Sequence, residues 1–396
     1  MTPSPRPWAM LAAMVLAQAS TTVVAAAPAF LIPHLLAERG LSLVAAGMLA
    51  GAPNLGLVLT LVLWGAATDR FGERRVILVG LALTVAAVAG SMSAREPAVL
   101  GAALALSGAV SACTNSASGR LITGWFPAQR RGLAMGIRQT CQPLGMAVAA
   151  LGVPPLAEAF GVPGALALGG ALSALSLVVC ALVVRDPDRA PRPGAAGGVP
   201  GAGSPYRGSL TLVRIHAASV LLVVPQFALS TFGLVWFTVG FGWSAFAAGA
   251  LVAVAQFAGA AGRILVGVWS DRAASRLRPL RLVAVAGVFA MLACGALGWA
   301  EWGAAAALAY VVASCISVAD NGLAFTAVAE LSGPAWAGRA LGIQNTGQFL
   351  AAAAVGPVVG GLIGVAGIPA ALALLALTPA LAVPLVPGPA AERARD

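Results

Sequence analysis

The chain alternates long apolar runs with short polar interruptions, and almost nothing alternates inside the runs. Twelve runs are legible, roughly 8–31, 43–68, 76–93, 98–124, 133–157, 162–184, 214–240, 244–270, 282–300, 302–330, 339–365 and 368–387. Each holds about 20 residues or more, the length that carries an α-helix across a bilayer's hydrocarbon core. A strand reading fails, because the runs are continuously apolar and rich in Ala, Leu and Gly, whereas a membrane strand alternates. No interval between runs is long enough for an ordinary soluble domain. The pattern predicts an all-α, polytopic membrane protein with twelve transmembrane helices. The first run follows Arg6 and has small residues at Ala25–Ala27. It is too long for the apolar part of a signal peptide and is expected to be retained as a helix.

Between the sixth and seventh runs lies RDPDRAPRPGAAGGVPGAGSPYRG, 185–208. Pro, Gly and Ala with charges of both signs make the composition of a flexible linker. The expected organisation is an N-terminal six-helix half at 1–184, a cytoplasmic linker at 185–213 and a C-terminal six-helix half at 214–396. The halves repeat each other: GAATDRFGERR (65–75) returns as GVWSDRAASRL (267–277), MGIRQTCQ (135–142) as LGIQNTGQ (341–348), and Asn115 as Asn321. Pseudo-symmetric halves of this kind place a transported molecule near the membrane midplane, at the interface of the repeats.

Composition agrees with the pattern and removes other classes. The chain is 60% hydrophobic and 9% charged, with a mean hydropathy of +0.93, against about 45–50% apolar residues in a soluble domain. A net charge of +10 invites a nucleic-acid reading until its placement is checked. All 23 basic residues are arginine. With the N-terminus in the cytoplasm, only Arg39 and Arg95 fall in outer loops, while Arg120, Arg138 and Arg263 fall within runs. The remainder crowd the cytoplasmic side, which by the positive-inside rule puts both termini there and a multi-pass protein in the plasma membrane. Nucleic acid is therefore not an expected partner. Cys113, Cys141, Cys180, Cys294 and Cys315 all lie in apolar runs without metal-ligand spacing and read as buried small hydrophobes. A chain without lysine has no P-loop and no Schiff-base lysine, and His34 and His216 make no typical zinc site. No enzyme, no metal and no cofactor is expected.

One loop breaks the apolar monotony. In WGAATDRFGERRV, 64–76, Asp69, Arg70, Glu73, Arg74 and Arg75 crowd into seven positions. The stretch resembles the loop signature of the major facilitator superfamily, G-x-x-x-D-R-x-G-x-R-R, at every fixed position. The second copy keeps Gly267, Asp271, Arg272 and Arg276 but has Ala274 and Leu277 where the signature has Gly and Arg. The resemblance covers nearly the whole chain and implies a secondary transporter. It further implies that Gly65, Asp69, Arg70, Gly72 and Arg74, with Gly267, Asp271 and Arg272 of the repeat, latch and release the halves. Gly65 would permit close helix approach, and Gly72 a tight turn. Glu330, at the inner end of the tenth run, is expected to pair with Arg272.

Ionisable residues at membrane depth are costly and mark sites. Arg263 lies eight residues before Asp271, about 12 Å along the helix. The GRILVGVWSDR arrangement looks like the eighth helix of oxalate/formate antiporters and monocarboxylate transporters, where the resemblance implies carboxylate binding. A guanidinium pairs such a group bidentately; a structural tie to a neighbouring helix is the plainer role. Arg120, before a W-F-P turn, resembles an arginine of organic anion:cation symporters, though at about 7 Å depth it can snorkel. Arg138 reads as a helix-to-helix tie. Asp320 is the one acid well inside a run and is expected to carry a coupling proton or to pair with a buried arginine. Gln18, Gln226, Asn115, Asn321, Gln142, Gln348 and Trp236 complete the expected substrate-binding set; buried amides also serve simply to tie helices together.

The sequence thus predicts a transporter, monomeric in the bilayer, for a small organic anion, a carboxylate by preference, moved by proton symport or anion exchange. The rival is a proton-driven drug or metabolite exporter. Such exporters carry an early arginine in the fourth helix and a G-P-x-x-G-G motif in the fifth. Here the fourth run opens GAALALSGAV, and GPVVGG (356–361) falls in the eleventh.

Overall fold

A computed structural model describes residues 6–126, 134, 137–138, 140–186, 204–207, 209–273, 275–332 and 336–388. Without water, every backbone N–H and C=O must be bonded internally, so apolar runs of this length fold as helices. The first run forms α1 (Arg6–Phe30) and α2 (Ile32–Arg39), and α3 (Leu43–Phe71), α4 (Glu73–Ser93) and α5 (Pro97–Trp125) follow. A single element, α6 (Cys141–Val183), covers the fifth and sixth runs. Its 43 residues would extend about 65 Å, twice a hydrocarbon core. It breaks at Gly161 (φ 65°, ψ −165°), a conformation open to glycine alone, and so counts as two spans. Beyond the linker come α7 (Thr211–Val235), prolonged by a π-helical turn at Trp236–Gly240, then α8 (Ala245–Arg272), α9 (Leu277–Trp299), α10 (Gly303–Ser332) and α11 (Ala337–Ala366). The last span is built from α12 (Ile368–Leu375) and α13 (Leu377–Leu385). Eleven described helical segments are long and apolar enough to cross a membrane. With α6 counted twice, the twelve expected spans are present.

Contacts divide the chain into two compact units, residues 1–191 with 244–253 and residues 192–243 with 254–396. In the first, α1 packs on α6, α3 on α5, and α4 on both α5 and α6. Small residues bring these backbones together. A Cβ on Gly56 would lie 1.8 Å from the Ala105 carbonyl oxygen, and one on Gly108 would lie 2.0 Å from that of Pro53. Helix association in lipid depends on such close packing, because apolar burial provides no drive there.

In the second unit α7 packs against α10, α11 and α13, and α9 against α10, α12 and α13. The π turn fills one end of this bundle with aromatic rings: Trp236, Phe237, Phe241, Trp243 and Tyr310 form a continuous set of contacts. The Tyr310 hydroxyl donates to the Leu229 carbonyl at 3.2 Å. Trp236 is 2% exposed and belongs to this packed core. Its ring, placed by sequence in the substrate-binding set, is packed among Phe237, Phe241 and Tyr310.

Candidate functional site

Polar side chains inside the first unit form one connected relay. Arg138 donates from Nε to the Ser118 hydroxyl at 2.9 Å. Ser118 donates in turn to Gln18 Oε1 at 3.1 Å, and Gln18 Nε2 donates to Asn115 Oδ1 at 2.8 Å. Gln18 is on α1, Asn115 and Ser118 are one turn apart on α5, and Arg138 precedes α6. Gln18 and Ser118 are buried, and Arg138 is half-buried. Thr21 and Thr114 share a further bond at 2.9 Å between the same two helices. Arg138, read from sequence as a tie between helices, is thus the charged end of the relay. Gln142, expected alongside, is exposed and has no bond in the relay. The side chain of Arg120 lies outside the described residues.

The second unit repeats the arrangement with different termini. Gln348 Nε2 donates to Ser219 Oγ at 2.7 Å and to Asn321 Oδ1 at 2.9 Å. Asn321 Nδ2 then donates to Gln226 Oε1 at 2.8 Å. So Gln18 with Asn115, and Gln226 with Asn321, are equivalent pairs in equivalent helices, but the bond runs from Gln to Asn in one and from Asn to Gln in the other. A cluster not foreseen from sequence lies nearby in the chain: the Tyr206 hydroxyl bonds His216 Nε2 at 2.9 Å, and His216 Nδ1 meets Gln344 Oε1.

Asp320 and Arg263 belong to this second unit. Asp320 is 1% exposed, and neither carboxyl oxygen has a hydrogen-bond partner among the described residues. The carboxyl borders a cavity of about 10 Å³, lined chiefly by Leu222, Pro225, Gly287, Met291, Ser317 and Pro379, room for about one water. Arg263, half-buried on α8, donates from Nε to the Val318 carbonyl of α10 at 3.2 Å. No hydrogen bond joins it to Asp320. Helices α8 and α10 approach closely here, since a Cβ on Gly262 would lie 2.3 Å from Cys315 Sγ.

The signature loop is built as its glycine requires. Gly72 ends α3 and begins α4 at φ 84°, ψ 163°, and its N–H bonds the Thr68 carbonyl. A Cβ there would also approach Asp186 Oδ2 to 2.9 Å. Arg74 does not reach outward to an acid. Its side chain donates to the carbonyls of Val184 (2.8 Å) and Ala181 (2.9 Å), and its backbone N–H donates to Asp186 Oδ1 at 2.8 Å, fastening α4 to the end of α6 within one unit. Arg70 is exposed, with its guanidinium 5.3 Å from the Phe71 ring centroid. Among the described residues, a Cβ on Gly65 or Gly267 would meet nothing within 4 Å. The side chains of Asp69 and Asp271 lie outside the described residues. Glu330 is held by Arg276 at 3.3 Å, while Arg272 is exposed at the end of α8. The choice of Arg276 follows from the turn after α8, where Ser270 also receives a bond from Arg276.

Two repeated six-helix bundles, each with a polar relay buried among apolar spans, define a secondary-active membrane transporter rather than an enzyme. The chain belongs to the Major Facilitator Superfamily, whose sequence profile matches residues 10–356. Among proteins of known sequence it is 47% identical over 380 residues to an uncharacterised MFS-type transporter of Mycobacterium tuberculosis strain H37Rv, covering 96% of this chain and 84% of that one. It is 46% identical, with the same coverage, to a counterpart in strain CDC 1551 / Oshkosh. Among solved structures it is similar to a bacterial homologue of the human lysosomal transporter Spinster in an inward-facing, occupied conformation (TM-score 0.80, 16% identity, 98% of this chain and 97% of that one). A D-xylose-proton symporter gives a TM-score of 0.79 at 16% identity, over 98% and 99% of the two chains. At these identities the likeness concerns the fold.

Proposed function

We propose that the protein moves a small organic anion, a carboxylate by preference, across the plasma membrane by alternating access, with proton symport or anion exchange as the coupling. Arg263 is the cationic partner of the substrate and Asp320 the proton carrier. The observation that carries this reading is the relation of these two residues. They belong to one bundle, where Arg263 bonds the Val318 carbonyl two residues before Asp320, yet Asp320 makes no hydrogen bond among the described residues. A purely structural ion pair in a low-dielectric bundle is stable only when its remaining lone pairs are also satisfied. An acid left unbonded is instead free to load and unload a proton, and a guanidinium in the same bundle offers the planar fork that pairs a carboxylate. Asn321, Gln226 and Gln348 of the same unit supply neutral hydrogen bonds around that chemistry, and Gln18 and Asn115 are the neutral hydrogen-bonding pair of the first unit. The halves 1–184 and 214–396 act as the moving bodies, with the linker 185–213 and both termini cytoplasmic, and the loops at Asp69 and Asp271 as the gates.

The test is a thermal-shift screen of the purified protein against carboxylates, sugars, nucleosides and cationic drugs, since a ligand stabilises the state it binds. Stabilisation by carboxylates, lost in Arg263→Ala, is the expected outcome. Stabilisation by cationic drugs alone moves the function to proton-driven export.

A further inference from the structure

The relay of the first unit has a direction that its chemistry imposes. A guanidinium has N–H donors and no acceptor, so the bond between Arg138 Nε and Ser118 Oγ must be accepted by the serine. Ser118 has one hydroxyl proton, and it goes to Gln18. With that proton on Gln18, the atom facing Ser118 is the Gln18 carbonyl oxygen and its NH₂ faces Asn115. Asn115 in turn presents its carbonyl oxygen to Gln18, which leaves its own NH₂ directed elsewhere. Amide orientations are a matter of assignment; with Ser118 accepting from Arg138, the orientation in which its one proton goes to Gln18 satisfies each group of the relay in turn.

The consequence is a surface of donors. What the relay does not use internally is the terminal –NH₂ groups of Arg138, the NH₂ of Asn115 and the second N–H of Gln18. No described acid pairs with Arg138, although the residue is half-buried. Glu73 begins α4 and Asp186 bonds the Arg74 backbone N–H. Asn115 and Ser118 are three residues apart on α5, about 4.5 Å along the axis, so the Asn115 amide and the guanidinium flank Ser118 on one helix face. We infer that this end of the relay is an anion subsite of the first unit, binding a carboxylate or an oxyanion of that size through Arg138 and a second acceptor oxygen of the same ligand through Asn115. The inference rests on the anion reading proposed above. It adds a recognition element in the N-terminal unit, independent of Arg263. The second unit lacks the equivalent charge: Gln344 occupies the repeat position of Arg138 and bonds His216. The Gln–Asn bonds run in opposite senses in the two relays, and the cation belongs to the first.

The experiment measures ligand affinity in purified full-length protein by calorimetry, using acetate, lactate, oxalate, malonate and succinate, with lactamide and malonamide as neutral controls. Wild type is expected to bind at least one carboxylate and neither amide. In Arg138→Gln the affinity for that carboxylate falls by about 30-fold or more, the loss typical of a buried charged partner. Asn115→Asp, which keeps the shape and replaces donors with an acceptor charge, falls at least as far. Ser118→Ala, which frees Gln18 to turn over, loses several-fold and relaxes the preference for carboxylate over amide. Should Arg138→Gln not yield monodisperse protein, Asn115→Asp decides. Binding of no carboxylate by wild type removes the anion reading and this subsite with it. Carboxylate binding by wild type that survives within threefold in Arg138→Gln, or in Asn115→Asp, overturns the subsite and leaves the anion reading standing.

Discussion

Asp320→Asn keeps the outline of the side chain and removes its ability to exchange a proton. The two roles open to this residue differ in the stability cost they assign to that change. A standing ion pair with Arg263 loses about 3–5 kcal/mol when one partner is neutralised, because a buried charge is left without compensation. In the structure, however, neither Asp320 oxygen is hydrogen-bonded among the described residues, so the substitution breaks no bond there. What it adds is an amide whose N–H groups need acceptors, a cost of about 1–3 kcal/mol if they find none. The cavity of about 10 Å³ beside the carboxyl is lined almost wholly by apolar groups and offers that amide little help, so the expected loss stays within this range. The measurements are denaturant unfolding followed by tryptophan fluorescence, and uptake into proteoliposomes driven by a pH gradient or by counterflow. The expected result is a small stability loss, no proton-driven accumulation, and counterflow retained. A stability loss of about 3 kcal/mol or more would restore the ion-pair role, and undiminished accumulation would remove Asp320 from coupling.

Arg263→Lys should weaken carboxylate binding and Arg263→Ala nearly abolish it, because an ammonium keeps the charge but not the planar fork; calorimetry showing a loss below about threefold in the alanine variant counts against the assignment. Asp69→Asn should slow transport severely while leaving insertion and ligand binding intact, and normal uptake rates in reconstituted vesicles would refute gating by that loop. Gly108→Leu should destabilise the first unit by at least about 1–3 kcal/mol, since its Cβ would lie 2.0 Å from the backbone oxygen of Pro53 and α3 and α5 would have to separate; a wild-type melting temperature would contradict this packing. Gly72→Ala should lower expression of folded protein, because φ 84° and Asp186 at 2.9 Å both oppose a Cβ.

The spans, their number and the tight signature loop were legible in the residue order, for a local reason. In a bilayer, backbone satisfaction leaves the helix as the option for a long apolar run, and Gly72 marks a turn wherever the rest of the chain lies. The repeat was legible too, since Gln18 with Gln226 and Asn115 with Asn321 occupy matching places. Partners were not. Hydropathy weighs a helix against lipid and carries no record of which neighbour each face meets. The Gln18–Asn115 bond joins residues 97 apart, and Arg138 became the end of that relay because α5 brings Ser118 to it. Trp236 went into an aromatic core because the π turn rotates it onto Tyr310. Gln348 was buried against Ser219 and Asn321 while its repeat counterpart Gln142 was left exposed. Glu330 took Arg276 over Arg272 through the path of a short turn. Each outcome depends on the rotation of a helix about its axis, which distant packing sets and local composition does not encode.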